Sequence, residues 1–347
     1  MVRLIQIGLG DWGVNWATTI VPQVPEVEIA GYVVRSQDKA EISRERLGER
    51  AAPFFLSLEE AIERTGADGV LVLTTTAAHV ELVSRALALG RHVLVEKPFV
   101  QTIEEGSELV RIAAAQKLVL MVNQNFRFFP AAQRAAEIVR DRELGEVASV
   151  SIAFRRMLSY PSEERAQWHY QLRQPLLADL AIHHFDLMRM VLGREPLSIY
   201  CTAPRPKWSK FRDPATAAAT IKFEDGITVN WSGTWEAQPE TTFSGEWHMQ
   251  CQDGSVIWAC RGDRDVTLDG DRLEIIRAKA GSQPEKLKRD HRFGRVGVLD
   301  AFASAISASQ RVQFFPDGSD NLMSLALMEA AIKSCETGKL VEISLLK

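Results

Sequence analysis

The sequence predicts an α/β protein in which a doubly wound parallel sheet precedes an α+β domain with a large, open, mainly antiparallel sheet. Short, wholly apolar runs alternate with helical stretches over the first third of the chain, which is typical of parallel strands buried on both faces. Longer alternating runs follow, joined by Asp-Gly turns typical of antiparallel hairpins. We therefore divide the 347 residues into domains at 1–122 and 123–347.

The first domain is predicted to be of the Rossmann type. Right-handed crossovers between successive parallel strands place helices on both faces of such a sheet. A helix is predicted over Val80–Leu89 and ends at Gly90. The predicted strands are Leu4–Ile7, Val27–Val34, Gly69–Leu73, His92–Val95 and Leu118–Val122.

The second domain is predicted to combine helices with an antiparallel meander. Helices are expected over Ala131–Arg140, Leu176–Leu192 and about Asp320–Glu336. Turns are expected at Asp225-Gly226, Asp253-Gly254 and Asp269-Gly270, and residues 280–295 are expected to form a surface loop. The predicted strands are Val147–Phe154, Ala218–Phe223, Ile227–Trp235, Gly245–Gln250 and Ser255–Cys260.

Composition argues against several classes of function. The net charge of −4 shows no basic bias, so neither nucleic acid nor an anionic membrane is expected as a partner. The four cysteines form no C-x-x-C pair, which fits a reducing compartment and predicts no metal site. Neither a signal peptide nor a membrane-spanning run is evident, so we expect a cytoplasmic protein.

The segment Gly8–Gly13 is a G-x-G-x-x-G motif that directly follows the first strand and opens a helix. In such a motif Gly8 permits the tight turn, Gly10 lets the backbone approach a pyrophosphate, and Gly13 lets the helix pack closely on the strand. Trp12 lies inside the same loop and is assigned to the cofactor site with it. Asp11 would repel phosphate, so we expect its carboxylate to turn away or to cap the helix. The motif predicts a dinucleotide site.

The end of the second strand bears on the choice of cofactor. NAD specificity usually comes from an acidic residue there, and this sequence has Arg35-Ser36 instead. Arg35 could pair with a 2′-phosphate and Ser36 could hydrogen-bond to it, so we favour NADP over NAD. The alternative is a solvated Arg35 that lies over the adenine of either cofactor.

A polar stripe interrupts the apolar helix Leu176–Leu192. Asp179, His183 and Asp186 have the spacing i, i+4, i+7 and would share one helix face. His183 is suited to removing the proton of an alcohol at neutral pH, with Asp179 orienting it or the substrate. The alternative is a purely structural His–Asp pair. His184 points elsewhere and is expected to pack.

Lys97 follows a predicted parallel strand, at the sheet edge where ligands of open α/β sheets bind. Its ammonium group could hydrogen-bond a substrate hydroxyl and favour the alkoxide. The following Pro98 fixes the turn and is a candidate for a cis bond. Taken alone, a lysine before a proline is an ordinary loop residue.

Three features occur in order: Gly8–Gly13, Glu96-Lys97-Pro98 near residue 100 and Asp179-x-x-x-His183 near residue 180. With these motifs the sequence resembles the Gfo/Idh/MocA oxidoreductases, and the resemblance covers nearly the whole chain. The resemblance implies that Lys97 and His183 form the catalytic pair, supported by Asp179. It also implies a homodimer or homotetramer built through the open sheet. The other residues that it assigns are Thr74, Thr75 and His79 beside the nicotinamide, Glu96 near its ribose, Asn125 at the crevice floor, and Arg127 and Trp168 at the substrate.

The sequence departs from the family pattern before the aspartate motif. Arg173-Gln174-Pro175 replaces a frequent Gly-Gly pair, and Ala181 replaces a usual glycine, which leaves the substrate open. Arg173 could bind a carboxylated or phosphorylated substrate, although a surface arginine is the simpler interpretation.

The expected function is hydride transfer between NADP or NAD and a sugar, cyclitol or related polyol or aldehyde. Two alternatives are a non-catalytic dinucleotide sensor and a redox-assisted, NAD-dependent glycosidase. The presence of Lys97, Asp179 and His183 together favours an enzyme over a pure binder. No G-x-S-x-G elbow supports a serine hydrolase.

Overall fold

The computed structural model describes residues 1–50, 52–157, 169–264, 266–279, 281–288, 292–308 and 311–344. The chain forms two compact units, and each is built from two stretches of sequence. Met1–Asn125 with His291–Leu322 makes the first unit, and Phe126–Asp290 with Met323–Lys347 makes the second. The predicted division at residue 122 did not include this return of residues 291–322 to the first unit.

The first unit contains a six-stranded, all-parallel sheet with strand order β3-β2-β1-β4-β5-β6. This order is that of a doubly wound dinucleotide-binding sheet, so the predicted Rossmann fold is confirmed. Parallel strands that are buried on both faces need apolar residues at successive positions, and every residue of β4 is buried. The strands are β1 (Val2–Ile7), β2 (Val27–Val33), β3 (Phe54–Phe55), β4 (Gly69–Val72), β5 (His92–Val95) and β6 (Leu120–Val122).

Helices connect these strands. The first begins as α1 (Asp11–Asn15) and continues through a wide π-helical turn at Trp16–Ile20. The Thr102 and Glu105 side chains form a capping box that begins α5, because each accepts a backbone N–H that the helix leaves unpaired. The other helices of this stretch are α2 (Gln37–Leu47), α3 (Leu58–Thr65), α4 (His79–Ala88) and α5 (Ile103–Ala115).

The second unit contains a nine-stranded sheet with order β14-β13-β12-β11-β7-β10-β9-β8-β15. The predicted open, mainly antiparallel sheet is confirmed, but a pure meander is wrong, because β7 and β10 pair in parallel at its centre. Tight turns at Asp225-Gly226 and Asp253-Gly254 join paired strands as predicted. The strands are β7 (Val147–Arg155), β8 (Pro196–Thr202), β9 (Thr216–Phe223), β10 (Thr228–Thr234), β11 (Glu246–Cys251), β12 (Gly254–Ala259), β13 (Arg272–Arg277), β14 (Gly281–Pro284) and β15 (Val341–Glu342).

Two other expectations for this region need correction. Asp269-Gly270 lies at the end of a longer connection between β12 and β13, so it does not form a tight hairpin. The predicted surface loop over residues 280–295 contains the edge strand β14 and the start of a helix, α8 (Gly294–Ser307), whose Arg295 is buried.

The remaining helices are α6 (Pro130–Arg140), α7 (Ile182–Leu192) and α9 (Gly318–Thr337). Every residue of α7 is buried. Along β10 the burial alternates: Val229 and Trp231 are covered, whereas Asn230 and Ser232 on the other face are exposed. Within the described residues, no helix combines the length and hydrophobicity needed to cross a membrane.

Candidate functional site

The glycine loop after β1 has the geometry of a pyrophosphate cradle. A Cβ added to Gly8 would lie 2.4 Å from the Leu73 carbonyl oxygen, and one added to Gly13 would lie 2.0 Å from the Gly8 carbonyl oxygen. Gly8 also has a φ of +100°, which L side chains rarely adopt. A Cβ on Gly10 would meet no atom within 4 Å. Gly8 and Gly13 are therefore needed for packing, while Gly10 leaves open space in which a phosphate fits against the backbone.

Gln6 holds this loop in shape and was not among the residues expected from the sequence. It is fully buried within β1, and its Nε2 donates to the carbonyl oxygens of Gly8 (3.2 Å) and Gly13 (2.8 Å). The sequence could have identified Gln6, because it is a polar residue in an otherwise apolar buried strand, and buried amides require hydrogen-bond partners.

The two sequence features that bear on cofactor charge lie at the surface. The Asp11 carboxylate accepts a hydrogen bond from Arg46 at 2.7 Å. Arg35 is exposed directly after β2. Ser36 caps α2, since its side chain accepts from the Lys39 backbone N–H at 3.3 Å.

Glu96 organises the edge of the sheet after β5. Its buried carboxylate accepts hydrogen bonds from the indole of Trp12 (2.6 Å), the indole of Trp16 (3.2 Å) and the Asn123 amide (2.7 Å). Its second oxygen accepts from the Lys97 backbone N–H at 3.2 Å. The Glu96 carboxylate therefore fixes Trp12 and the Lys97 backbone, and the ribose contact that the resemblance implies stays a prediction.

Arg295 joins this cluster from far along the sequence. Its guanidinium carbon lies 3.9 Å from the centre of the Trp12 ring, and the guanidinium donates to Asn15 at 2.7 Å. A cation over an indole face is attractive because of the ring quadrupole. Trp12 is thus held by Glu96 at its edge and by Arg295 on one face, while 40% of its surface stays exposed.

Lys97 lies at the carboxyl end of β5, the same sheet edge that carries the Gly8–Gly13 loop at the end of β1. It is half-buried, and the Lys97–Pro98 bond is cis, as considered from the sequence.

Of the residues implied beside the nicotinamide, Thr74 and Thr75 follow β4 at this edge and are at least partly exposed. His79 is fully buried, with ring nitrogens near the carbonyl oxygens of Thr74 (3.2 Å), Pro98 (3.0 Å) and Phe99 (3.1 Å). His79 therefore ties the two loops together, and its expected place beside the nicotinamide stays a prediction. Asn125 is buried at the start of a short 3-10 turn, Asn125–Phe128.

In the second unit, His183 is buried on α7 with its ring stacked on Phe126, at 4.3 Å between centroids and 7° between planes.

Asp186 accepts two hydrogen bonds of 2.6 Å from Arg127, and both side chains are buried. The Ser324 hydroxyl donates to Asp186 at 3.0 Å. Arg127 is thus held in a buried ion pair, and its expected contact with substrate stays a prediction.

The segment before α7 is π-helical over Pro175–Ala181, so the 3.6-residue spacing assumed for Asp179 does not hold there. The Asp179 carboxylate is 44% exposed and lies 3.6 Å from Nε2 of His169. His169 was not identified from the sequence, because a lone histidine outside a helical pattern carries no signal. Arg173 is exposed, and Trp168 lies outside the described residues.

His184 is a packing residue, as expected. Its Nδ1 accepts from the Trp231 indole at 3.0 Å and its Nε2 lies 2.8 Å from the Phe243 carbonyl oxygen, so the neutral ring carries its proton on Nε2. Complete burial lowers the pKa of His184 to about 4, and the hydrogen bond to Phe243 opposes this shift. The described residues include no group of three or more side chains suited to hold a metal ion.

Known proteins share both halves of this architecture. Residues 2–124 match the model of an oxidoreductase family with an NAD-binding Rossmann fold, and residues 132–257 match the model of the GFO/IDH/MocA C-terminal domain. Inositol 2-dehydrogenase of Rhizobium meliloti (strain 1021) is 24% identical over 80% of this chain and 81% of its own length. 1,5-Anhydro-D-fructose reductase of Ensifer adhaerens is 24% identical over 83% of each chain.

A solved structure shows the same fold over almost the whole length. The oxidoreductase from Agrobacterium radiobacter, crystallised with NAD+, L-tartaric acid and magnesium, superposes with a TM-score of 0.83 at 20% identity and covers 98% of both chains. Together, the two family models cover more than half of this chain in sequence order. The protein therefore belongs to the Gfo/Idh/MocA family of oxidoreductases.

Proposed function

We propose that this protein transfers a hydride between a nicotinamide dinucleotide and a hydroxyl or carbonyl group of a sugar or cyclitol. The open cradle at Gly10 carries the proposal, because Lys97 follows β5 at the same sheet edge that presents this cradle after β1. The related inositol dehydrogenase and anhydrofructose reductase support the substrate class.

The dinucleotide would be held by residues of the first unit. Gly8–Gly13 would receive the pyrophosphate, and Trp12 and Glu96 would form a rigid wall beside it. When bound, the nicotinamide accepts or supplies the hydride. Because Arg35 is exposed beside Ser36 at the end of β2, where NAD enzymes usually carry an acidic residue, we favour NADP.

The protein's own groups would handle the proton. Lys97 would hydrogen-bond the reacting hydroxyl, and His183 would take its proton when an alcohol is oxidised and return it when a carbonyl is reduced. The Phe126 ring beneath His183 fixes the orientation of the imidazole. Asp179, next to His169, would orient the substrate.

Fluorescence titration tests the cofactor half of this proposal. Quenching of tryptophan emission should report binding, because Trp12 lies in the glycine loop and is partly exposed. NADPH should saturate this signal at a lower concentration than NADH, because Arg35 would pair with the 2′-phosphate. Arg35→Ala should weaken NADPH binding and leave NADH binding similar. Equal losses for both cofactors would show that Arg35 does not bind the 2′-phosphate, and no binding of either would contradict the dinucleotide site.

Turnover tests the chemical half. Purified protein should oxidise myo-inositol or reduce 1,5-anhydro-D-fructose with the preferred cofactor, as followed by the absorbance of the reduced nicotinamide. His183→Ala should lower kcat by roughly 10²–10⁴-fold while cofactor affinity stays similar. Unchanged turnover in this variant would remove His183 from the acid–base role.

We also propose that the outward face of the nine-stranded sheet binds a second copy of the chain. This face carries a broad, shallow depression of about 530 Å³, and most of the residues that line it have small or polar side chains. Tyr200 stands 44% exposed at its edge. The lining includes Ser151, Thr202, Thr220, Asn230, Ser232 and His248.

A further inference from the structure

Two consecutive side chains directly after β10 are buried with polar atoms that no residue described in the structure satisfies. Trp235 is 4% exposed, and its indole N–H has no hydrogen-bond partner. Glu236 is 8% exposed, and its Oε2 likewise has none. More than nine in ten buried polar groups in proteins are hydrogen-bonded, and an unsatisfied one destabilises the fold. Two such groups at successive positions of the sequence therefore need an explanation for why the fold leaves them unsatisfied.

Their surroundings point to the proposed substrate site. The Trp235 ring packs edge-on against His169, with 6.3 Å between ring centroids. His169 in turn lies 3.6 Å from the carboxylate of Asp179. On its other side Trp235 packs against Phe154, at 4.9 Å between centroids. The Trp235 ring thus belongs to the same cluster as His169 and Asp179.

The chemistry of the two groups is complementary. An indole N–H can only donate a hydrogen bond, and a carboxylate can only accept one. A hydroxyl group both donates and accepts, whereas a carboxylate or phosphate on the substrate would be repelled by Glu236.

We infer that Trp235 and Glu236 recognise hydroxyl groups of the substrate away from the reacting carbon, with Trp235 donating to a substrate oxygen and Glu236 accepting from a substrate hydroxyl. This inference rests on the proposed function and narrows it: the substrate is a neutral polyol, not a sugar acid or sugar phosphate. A site that hydrogen-bonds a substrate hydroxyl discriminates strongly against analogues that lack it, because its own polar groups are then left unpaired.

Trp231 provides a matched control on the same strand. It is buried to a similar degree, but its indole N–H donates to His184 at 3.0 Å. Trp231→Phe removes a satisfied hydrogen bond, whereas Trp235→Phe removes a group that has no partner in the free protein. The two substitutions delete the same atoms.

Thermal unfolding of the protein without substrate is the first test. Trp231→Phe should lower Tm by roughly 2–4 °C more than Trp235→Phe does, because both variants lose the same packing atoms but only the first loses a hydrogen bond, and Glu236→Gln should leave Tm unchanged or raise it. A fall in Tm for both Trp235→Phe and Glu236→Gln that equals the fall for Trp231→Phe would overturn the inference, because their polar atoms would then have structural partners. This result does not depend on knowing the substrate.

Kinetics are the second test, with whichever of myo-inositol and 1,5-anhydro-D-fructose the wild type converts. Trp235→Phe and Glu236→Gln should each lower kcat/KM by about tenfold and leave NADPH affinity unchanged. Unchanged kcat/KM in both variants would overturn the inference and leave the proposed function intact. If the wild type converts neither compound, the proposed substrate class fails. The unfolding comparison still decides whether the polar atoms of Trp235 and Glu236 contribute to the stability of the fold.

Discussion

Asp186 and Asp179 lie on one polar stripe in the sequence, but their surroundings give them different tasks. Asp186 is 1% exposed and is paired with Arg127 through two hydrogen bonds, whereas Asp179 is 44% exposed. A buried ion pair is costly to break, because the remaining charge then loses a close partner in a region of low dielectric. Asp186 therefore contributes to the stability of the fold, whereas the Asp179 carboxylate lies closer to solvent.

We predict that Asp186→Asn lowers the free energy of unfolding by about 3–5 kcal/mol, because it removes the carboxylate charge that pairs with the buried Arg127 guanidinium. Asp179→Asn, the control, should change it by less than about 1 kcal/mol, since a half-exposed charge interacts weakly through solvent. Urea denaturation followed by circular dichroism measures both. Equal effects of the two substitutions would contradict this assignment.

His184 makes stability depend on pH. In the unfolded chain a histidine gains a proton near pH 6.5, whereas burial keeps His184 neutral down to a pKa of about 4. Between these values the unfolded state binds more protons, so stability falls as pH falls through this window. From pH 7 to pH 5 the loss from this residue should be about 2 kcal/mol.

The difference between wild type and His184→Gln isolates this contribution, because the other titrating groups are common to both proteins. The wild type should lose about 2 kcal/mol more than the variant between pH 7 and pH 5 in urea denaturation. Parallel pH profiles would mean that His184 is accessible to protons in the folded protein.

At the scale of elements, the loop between β1 and α1 separates the demands of folding from those of binding. Gly13 has no room for a Cβ because of the Gly8 carbonyl oxygen, whereas Gly10, at a φ of −66°, has both the room and the backbone angle for one. The same motif thus contains a glycine that the chain itself requires and a glycine that only a ligand requires.

We predict that Gly10→Ala leaves the unfolding free energy within about 0.5 kcal/mol of wild type but weakens NADPH binding at least about tenfold, since the methyl group occupies the phosphate space. Gly13→Ala should cost roughly 1–3 kcal/mol of stability, because helix and strand must separate. Thermal unfolding and fluorescence titration measure the pair. Tight NADPH binding by Gly10→Ala would place the pyrophosphate elsewhere.

The elements that the sequence predicted are those determined by local patterns. Apolar runs and Asp-Gly turns predicted β4, β5 and the β9–β10 hairpin, because burial and turn geometry depend on adjacent residues. The π-helical stretch Pro175–Ala181 was missed, since an apolar pattern cannot distinguish it from an α-helix. The same reasoning predicted the glycine cradle but not the cluster of Glu96, Trp12 and Arg295, whose members are distant in sequence and are brought together by the fold.

At the scale of the whole molecule, we predict that copies of the chain assemble through the open sheet. Light scattering coupled to size-exclusion chromatography should give at least twice the mass of one chain. Ser232→Arg, on the exposed side of β10, should reduce this mass, because it places a bulky charge in the shared face. Glu63→Arg, on the exposed side of α3, should not. A monomeric wild type would contradict the proposed interface.

The return of residues 291–322 to the first unit also affects how this protein is made. Trp12 is synthesised before the second unit, yet the arginine that covers its indole is synthesised only after nearly all of that unit. At about 5–20 residues per second, the nascent first unit remains incomplete for on the order of ten seconds. Throughout that interval the indole at the glycine loop lacks the guanidinium that covers one of its faces.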